Sequence, residues 1–114
     1  MVLVKLMAAM ICFSGHCYPA LIGNKTPTGT FTLVPYITKQ KGYGGEVLAF
    51  AEDKNGIYAI HRVWVLAKWQ HRMWRIEHGD AEQRKITDGC INVMPKVFAK
   101  LLKCCSYKKL IIVK

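Results

Sequence analysis

Asn55-Gly56 stands between two apolar runs, Val47 to Ala51 and Ile57 to Ile60. An Asn-Gly pair tolerates the positive φ angles of a tight hairpin turn, so these runs are predicted to pair as antiparallel strands. The same pattern recurs along the chain. Val2 to Leu6 and Met10 to Phe13 are apolar runs ahead of a Ser14-Gly15 turn, and Cys17 to Ile22 returns as a further strand. Lys25 to Leu33 opens with a Pro/Gly turn and continues in β-branched and aromatic residues, and Leu110 to Val113 closes the chain as a strand. Gly42-Tyr43-Gly44-Gly45 reads as a flexible loop. Short strands set off by turns predict a mainly β domain.

Two segments break that period. From Val65 to Ile76, the residues Trp69, Met73 and Ile76 are spaced by four and three, as on one face of a helix. Past Cys90, Pro95 stands at a first helical position. Met94, Val97, Phe98, Leu101 and Leu102 then recur at helical spacing, which predicts an amphipathic helix. Residues 1–114 are expected to form a single domain, because the length supports one core and leaves no room for a second. No apolar run approaches the ~20 residues of a membrane span. Met1 to Phe13 carries one charge, Lys5, and no small-x-small cleavage site, so it reads as a strand rather than an export signal.

The formal net charge of +10 favours polyanionic partners: nucleic acid, an anionic membrane or an acidic cell wall. Lys68 to Arg75 interleaves aromatics with cations in the manner of single-strand binders. That reading leaves the cysteine motif described next unexplained, so nucleic acid is not the expected partner. Of the five cysteines, Cys12 and Cys17 flank a four-residue loop that could bring them together across a hairpin. A disulfide there, or two free thiols in strands, remain equal alternatives. Cys104 and Cys105 are expected to be free, because a bond between adjacent cysteines is strained. The odd count leaves one thiol unpaired, and Cys90 is the choice. Cys12, His16, Cys17, Cys104 and Cys105 contain no pair of Cys-x-x-Cys knuckles, and neither a metal nor an organic cofactor is expected.

Ile86-Thr87-Asp88-Gly89-Cys90-Ile91-Asn92-Val93 places a cysteine directly after a glycine, on a turn between polar residues and an apolar pair. A nucleophilic thiol needs a base within hydrogen-bond reach, and an adjacent imidazolium lowers its pKa. Among His16, His61, His71 and His78, the first sits in a hairpin turn and the last in a glycine-containing loop. His71 lies in the cationic helix-like segment and reads as a surface or packing residue. His61 ends the strand Ile57 to Ile60, where it would be held rigidly.

Thr-x-Gly-Cys-Ile-Asn at Thr87 to Asn92 resembles the nucleophile motif of the L,D-transpeptidase (YkuD-type) family. Thr26-Pro27-Thr28-Gly29-Thr30-Phe31 resembles the family's Thr-Pro-x-Gly-x-Phe segment, and Ile60-His61-Arg62-Val63-Trp64 its strand-borne histidine. Their order along the chain is the family's, and the likeness covers about residues 2 to 113. Twenty-five residues separate His61 from Thr87, longer than the family's commonest spacing, which His71 fits better. Strand context favours His61.

The resemblance implies a compact β-sandwich-like L,D-transpeptidase catalytic domain with a helical insertion and one amphipathic helix after the nucleophile. It implies Cys90 as nucleophile and His61 as base, with the carbonyl of Arg62 orienting the imidazole. Gly89 would permit the backbone geometry that exposes the sulfur beside N–H groups for an oxyanion. Asn92 would brace the loop. Asp88 departs from the histidine or aromatic usual there: it would disfavour thiolate, orient an imidazolium, bind a substrate ammonium or serve only as a turn residue. Arg84 and Thr87 would contact substrate, Arg84 through a carboxylate. Peptidoglycan stem peptides are the implied partners, carbapenem-type β-lactams the implied inhibitors, and a monomer the expected state. The cell envelope or periplasm is the implied location, reached through a leader removed before this sequence begins or by another route. A secreted wall-targeting effector and a catalytically inactive peptidoglycan-binding scaffold are the alternatives.

Overall fold

A computed structural model describes all of residues 1–114. The chain runs β1 (Val2–Lys5), β2 (Met10–Phe13), β3 (His16–Pro19), β4 (Ile22–Gly23), β5 (Gly29–Thr32), β6 (Val34–Ile37), β7 (Glu46–Asp53) and β8 (Gly56–Arg62). A 3-10 turn over Lys68–Gln70 and helix α1 (Arg72–His78) follow, then β9 (Lys85–Thr87), β10 (Ile91–Val93), α2 (Pro95–Cys105) and β11 (Lys109–Val113). One sheet has the order β3-β2-β1-β11-β5 and a second the order β10-β8-β7-β6, while β4 and β9 pair by themselves. This is the mainly β architecture that the turn signals predict.

Alternation within the strands sets the core. Val2, Val4, Ile11, Phe13, Leu110 and Ile112 face inward from the five-stranded sheet, and Leu48, Phe50, Tyr58 and Ile60 from the four-stranded sheet. Helix α2 begins with Pro95 at its first turn, where a missing N–H costs nothing, and inserts Val97, Phe98, Leu101 and Cys105 into the same core. The Arg62 guanidinium lies over the Phe98 ring at 4.6 Å, which ties the helix to the end of β8.

Two local expectations are corrected. The β7–β8 hairpin bends at Lys54-Asn55 rather than at Asn55-Gly56. Asp53 pairs with Gly56, Asp53 Oδ1 accepts the Asn55 N–H at 2.7 Å, and only Gly56 (φ 130°) takes a positive φ. The side-chain hydrogen bond makes the turn, so Asn55 has no need of left-handed geometry. The segment from Val65 to Ile76 is not one helix. His71 stands at φ 52° between the 3-10 turn and α1, leaving Trp69 exposed and only Ile76 of the predicted face fully buried. Arg72 donates to Gln70 Oε1 at 2.7 Å and Arg75 to the Gln70 carbonyl at 2.8 Å, side-chain bonds that secure this kink.

The cysteines also divide differently. Cys12 and Cys17 stand opposite one another on β2 and β3 and are disulfide-bonded. Cys104 and Cys105, expected to be free, are bonded to each other where α2 ends. Cys105 is the last residue of α2, and the backbone turns extended at Ser106. Cys90 is the free thiol.

Phe98→Ala is expected to lower the unfolding free energy by about 3–5 kcal/mol, because the fully buried ring leaves a cavity under Arg62. A reduced urea midpoint with an unchanged denaturant slope is the readout.

Candidate active site

Strands β8 and β10 run parallel, with Ile91 opposite Ile60, Asn92 opposite His61 and Val93 opposite Arg62. Side chains alternate along a strand, so Cys90, two residues before Asn92, projects to the same side as Asn92 and His61. Cys90 and His61 both line a cavity of ≈ 610 Å³ that also meets Tyr43, Trp64, Arg72 and Asp88. They also line an adjoining cavity of ≈ 400 Å³ reaching Tyr36, Thr38 and Ile57. The thiol is where these two openings share a wall.

Hydrogen bonds assign the protons around the imidazole. His61 Nδ1 lies 2.6 Å from the Arg62 carbonyl, which only accepts, so Nδ1 carries the hydrogen and Nε2 has the free lone pair. Asn92 Nδ2 donates to that Nε2 at 3.3 Å. The amide is held in this orientation by two donors on its oxygen: Arg72 Nη1 at 2.9 Å and the Trp64 N–H at 3.3 Å. Arg72 therefore orients Asn92, and Asn92 contacts the histidine. Tyr43 meets the imidazole edge-on, with centroids 4.6 Å apart.

The turn ahead of Cys90 is tied from inside. Thr87 Oγ1 accepts the Gly89 N–H at 3.1 Å and donates to the Cys90 carbonyl at 2.6 Å. Thr26 Oγ1 donates to the Gly89 carbonyl at 2.9 Å, so the Thr-Pro segment frames the turn ahead of Cys90 through its first residue. Gly89 has φ 135°, and a Cβ there would overlap the Tyr58 ring. The glycine is required twice over, by backbone angle and by space.

Burial dominates the electrostatics. It pushes the Cys90 thiol above the ordinary value; a backbone hydrogen bond at Ala59 and the Arg72 charge pull it down, and Asp88 pushes it up again. The thiol hydrogen points to the Ile57 carbonyl, with sulfur and oxygen 3.8 Å apart. Burial also drives His61 down to about 4, helped by Arg72 and opposed by the hydrogen bond to Arg62. Protonating Nε2 would further set it against the Asn92 amide hydrogens. At neutral pH the pair is thus thiol and neutral imidazole, not the thiolate and imidazolium that a preformed ion pair would give. Burial raises the Tyr43 phenol, with Cys90 adding to that, while Arg72 opposes it. Arg72 itself is lowered by burial and supported by Asp88, Tyr43 and Cys90.

Cys90, His61, Gly89, Asn92 and the Arg62 carbonyl come together at one place. Asp88 is exposed on the rim of the larger cavity. Thr87 lines that cavity, but its hydroxyl is engaged within the turn. Arg84 does not reach either opening. Its guanidinium donates to the carbonyls of Gly79 at 2.6 Å, Ala8 at 2.8 Å and Ala9 at 3.2 Å, joining the β1–β2 turn to the end of α1. A guanidinium so engaged is a structural tie and has no free fork for a carboxylate. His71 is exposed and lines neither opening. Arg72 and Tyr43 escape the sequence reading. Arg72 is hidden in a cationic run that resembles a solvated face, and the only signal for Tyr43 is an aromatic ring set among glycines.

No protein-family model matches the chain, and no curated protein matches it. Solved structures do. An L,D-transpeptidase from Mycobacterium smegmatis is 20% identical with a TM-score of 0.62, over 99% of this chain and 58% of that one. L,D-transpeptidase 3 from Mycobacterium tuberculosis is 10% identical with a TM-score of 0.65, over 99% and 60%. The LD transpeptidase LdtMt1 in complex with imipenem is 16% identical with a TM-score of 0.60, over 98% and 57%. This chain has the L,D-transpeptidase fold and spans less than two thirds of the length of each of these proteins.

Two outcomes follow from the charge states. His61 has a native pKa of about 4, below the ordinary ~6.5, so between those values the unfolded chain binds a proton that the native one refuses. Stability is therefore full above pH 6.5 and declines as pH falls towards 4, by about 3 kcal/mol from this group. His61→Gln should flatten that slope in urea titrations at stepped pH. Iodoacetamide should label Cys90 alone and more slowly at pH 7 than an ordinary thiol. Asp88→Asn should speed the labelling and Arg72→Gln slow it; the reverse order would refute the assigned electrostatics.

Proposed function

We propose that this chain is a peptidoglycan L,D-transpeptidase in which Cys90 is the nucleophile and His61 the base. The observation that carries the reading is the parallel pairing that sets a free thiol and a neutral imidazole on the wall of one cavity, within the L,D-transpeptidase fold. As the sulfur attacks the carbonyl of the third residue of a stem tetrapeptide, His61 Nε2 accepts the thiol proton, displacing its long contact with Asn92. The Cys90 backbone N–H is the donor this reading assigns to the oxyanion. Collapse breaks the bond to the terminal D-alanine, whose amine leaves with the proton from His61. The thioester remains on Cys90.

An acceptor amine then attacks the thioester carbonyl and gives its proton to His61, which returns it to the departing sulfur. A neighbouring stem as acceptor gives a cross-link, a free D-amino acid gives exchange, and water gives hydrolysis. Because the imidazole rests neutral and the thiol protonated, proton transfer accompanies attack rather than preceding it. Carbapenem-type β-lactams would acylate the same sulfur. The substrate places the activity in the cell envelope, and no helix is long and apolar enough to cross a membrane.

A wall-binding scaffold without turnover is the second reading, favoured by the push that Asp88 gives the thiol. The test is mass spectrometry of muropeptides after incubating tetrapeptide-rich peptidoglycan with the protein, Cys90→Ala and His61→Ala. Loss of D-alanine with new dimers or exchanged termini is expected from the wild type, falling about a hundredfold or more in each variant. No change in any sample would leave the scaffold.

A further inference from the structure

All seven carboxylate side chains of the protein lie between Glu46 and Asp88, a segment whose cations equal them in number. The whole excess of +10 therefore sits on residues 1–45 and 89–114. In the folded chain these stretches supply every strand of the five-stranded sheet and α2, none of which carries a carboxylate. One part of the molecule is cationic without relief.

Within that part lies a cavity of ≈ 300 Å³ between the β2–β3 hairpin and α2, walled by Ser14, His16, Tyr18, Lys100 and Lys103. It lines neither Cys90 nor His61. Lys100 Nζ stands 5.5 Å from the Tyr18 ring centroid, which holds this lysine at the opening. Lys96, exposed one turn earlier, extends the ridge, the three lysines rising by about 6 Å and then about 4.5 Å along the helix. None of the three makes an ion pair; the only salt bridges are Arg62–Glu46 and Lys85–Glu82.

We propose that the Lys96, Lys100 and Lys103 ridge beside His16 is a docking site for a linear phosphodiester polymer that carries no bases, such as a glycerol-phosphate chain. The spaced, unpaired ammonium groups give point-charge contacts to successive phosphates. A membrane surface fits less well, because anchoring needs exposed apolar side chains among the cations. The exposed large apolar residues of the protein include none from β2, β3 or α2. A nucleic acid fits less well too, because bases need free aromatic faces. Phe13 is buried and Tyr18 is half-buried beneath Lys100. The site asks nothing of Cys90 and stands whether or not the chain is a transpeptidase.

The experiment measures binding of the full chain to synthetic glycerol-phosphate polymer, poly(dT) and phosphatidylglycerol vesicles at stepped salt. Three phosphate contacts predict that affinity for the polymer falls about twentyfold between 50 and 200 mM salt. Lys100→Glu/Lys103→Glu should weaken polymer binding about tenfold or more, and Lys100→Gln/Lys103→Gln by less. Lys54→Glu/Lys68→Glu, which changes net charge equally outside the acid-free region, should stay within about threefold of wild type. Unchanged Cys90 alkylation in each variant shows that the fold is intact. Equal weakening by both charge reversals, absence of polymer binding, or tighter binding of vesicles or poly(dT) than of polymer would each overturn the proposal.

Discussion

The parallel pairing of β10 with β8 is the contact on which the candidate site rests. It sets Asn92 beside His61 and, one alternation earlier, Cys90 on the same side of the sheet. Backbone hydrogen bonds hold the register, which leaves the side chains free for other partners. A slip of one residue would send Cys90 and Asn92 to the opposite face while His61 stayed in place. The neighbouring constraints protect this register: the Leu21 and Asn92 backbones exchange two hydrogen bonds of 2.9 Å, and Val63 donates to the Val93 carbonyl at 2.9 Å.

Around that pairing, polar groups are arranged in sequence rather than merely gathered. Arg72 fixes the amide of Asn92, Asn92 meets the free nitrogen of His61, and the Arg62 carbonyl holds the other nitrogen. Burial favours the uncharged form of both the Cys90 thiol and the His61 imidazole, while Arg72 and Asp88 act on the thiol with opposite signs. The departure at Asp88 acquires a physical meaning here: it raises the thiol pKa and supports the charge of Arg72. An arginine at the start of α1 and an aspartate two residues before Cys90 thus act on one sulfur together.

Much of this was legible in the residues. Asn55-Gly56, Ser14-Gly15 and the helical spacing of Val97, Phe98 and Leu101 announced the hairpins and α2, because turns and amphipathic faces are local properties. Gly89-Cys90 and the strand-borne His61, singled out by local contexts that restrict them, lie on one cavity wall in the fold. Arg84 and Arg72 show the limit. Both are arginines in polar, cationic surroundings, and nothing local says which reaches backbone carbonyls and which reaches the cavity. The kink at His71, held by Arg72 and Arg75 side chains bonded to Gln70, and the bond between the adjacent Cys104 and Cys105 depart from what helical spacing and expected strain suggest.

By itself the sequence determined most of the longer strands, helix α2, the need for a glycine ahead of Cys90 and the basic character of the chain. Those follow from φ preferences, side-chain periodicity and charge, which are written residue by residue. Tertiary structure alone decided that Nε2 is the free nitrogen of His61 and that Arg72 and Tyr43 join the site. It also decided that the acid-free stretches at both ends of the chain share one sheet, through the parallel pairing of β1 with β11. These outcomes depend on strand order and burial, which arise between residues far apart in the chain and have no local signature.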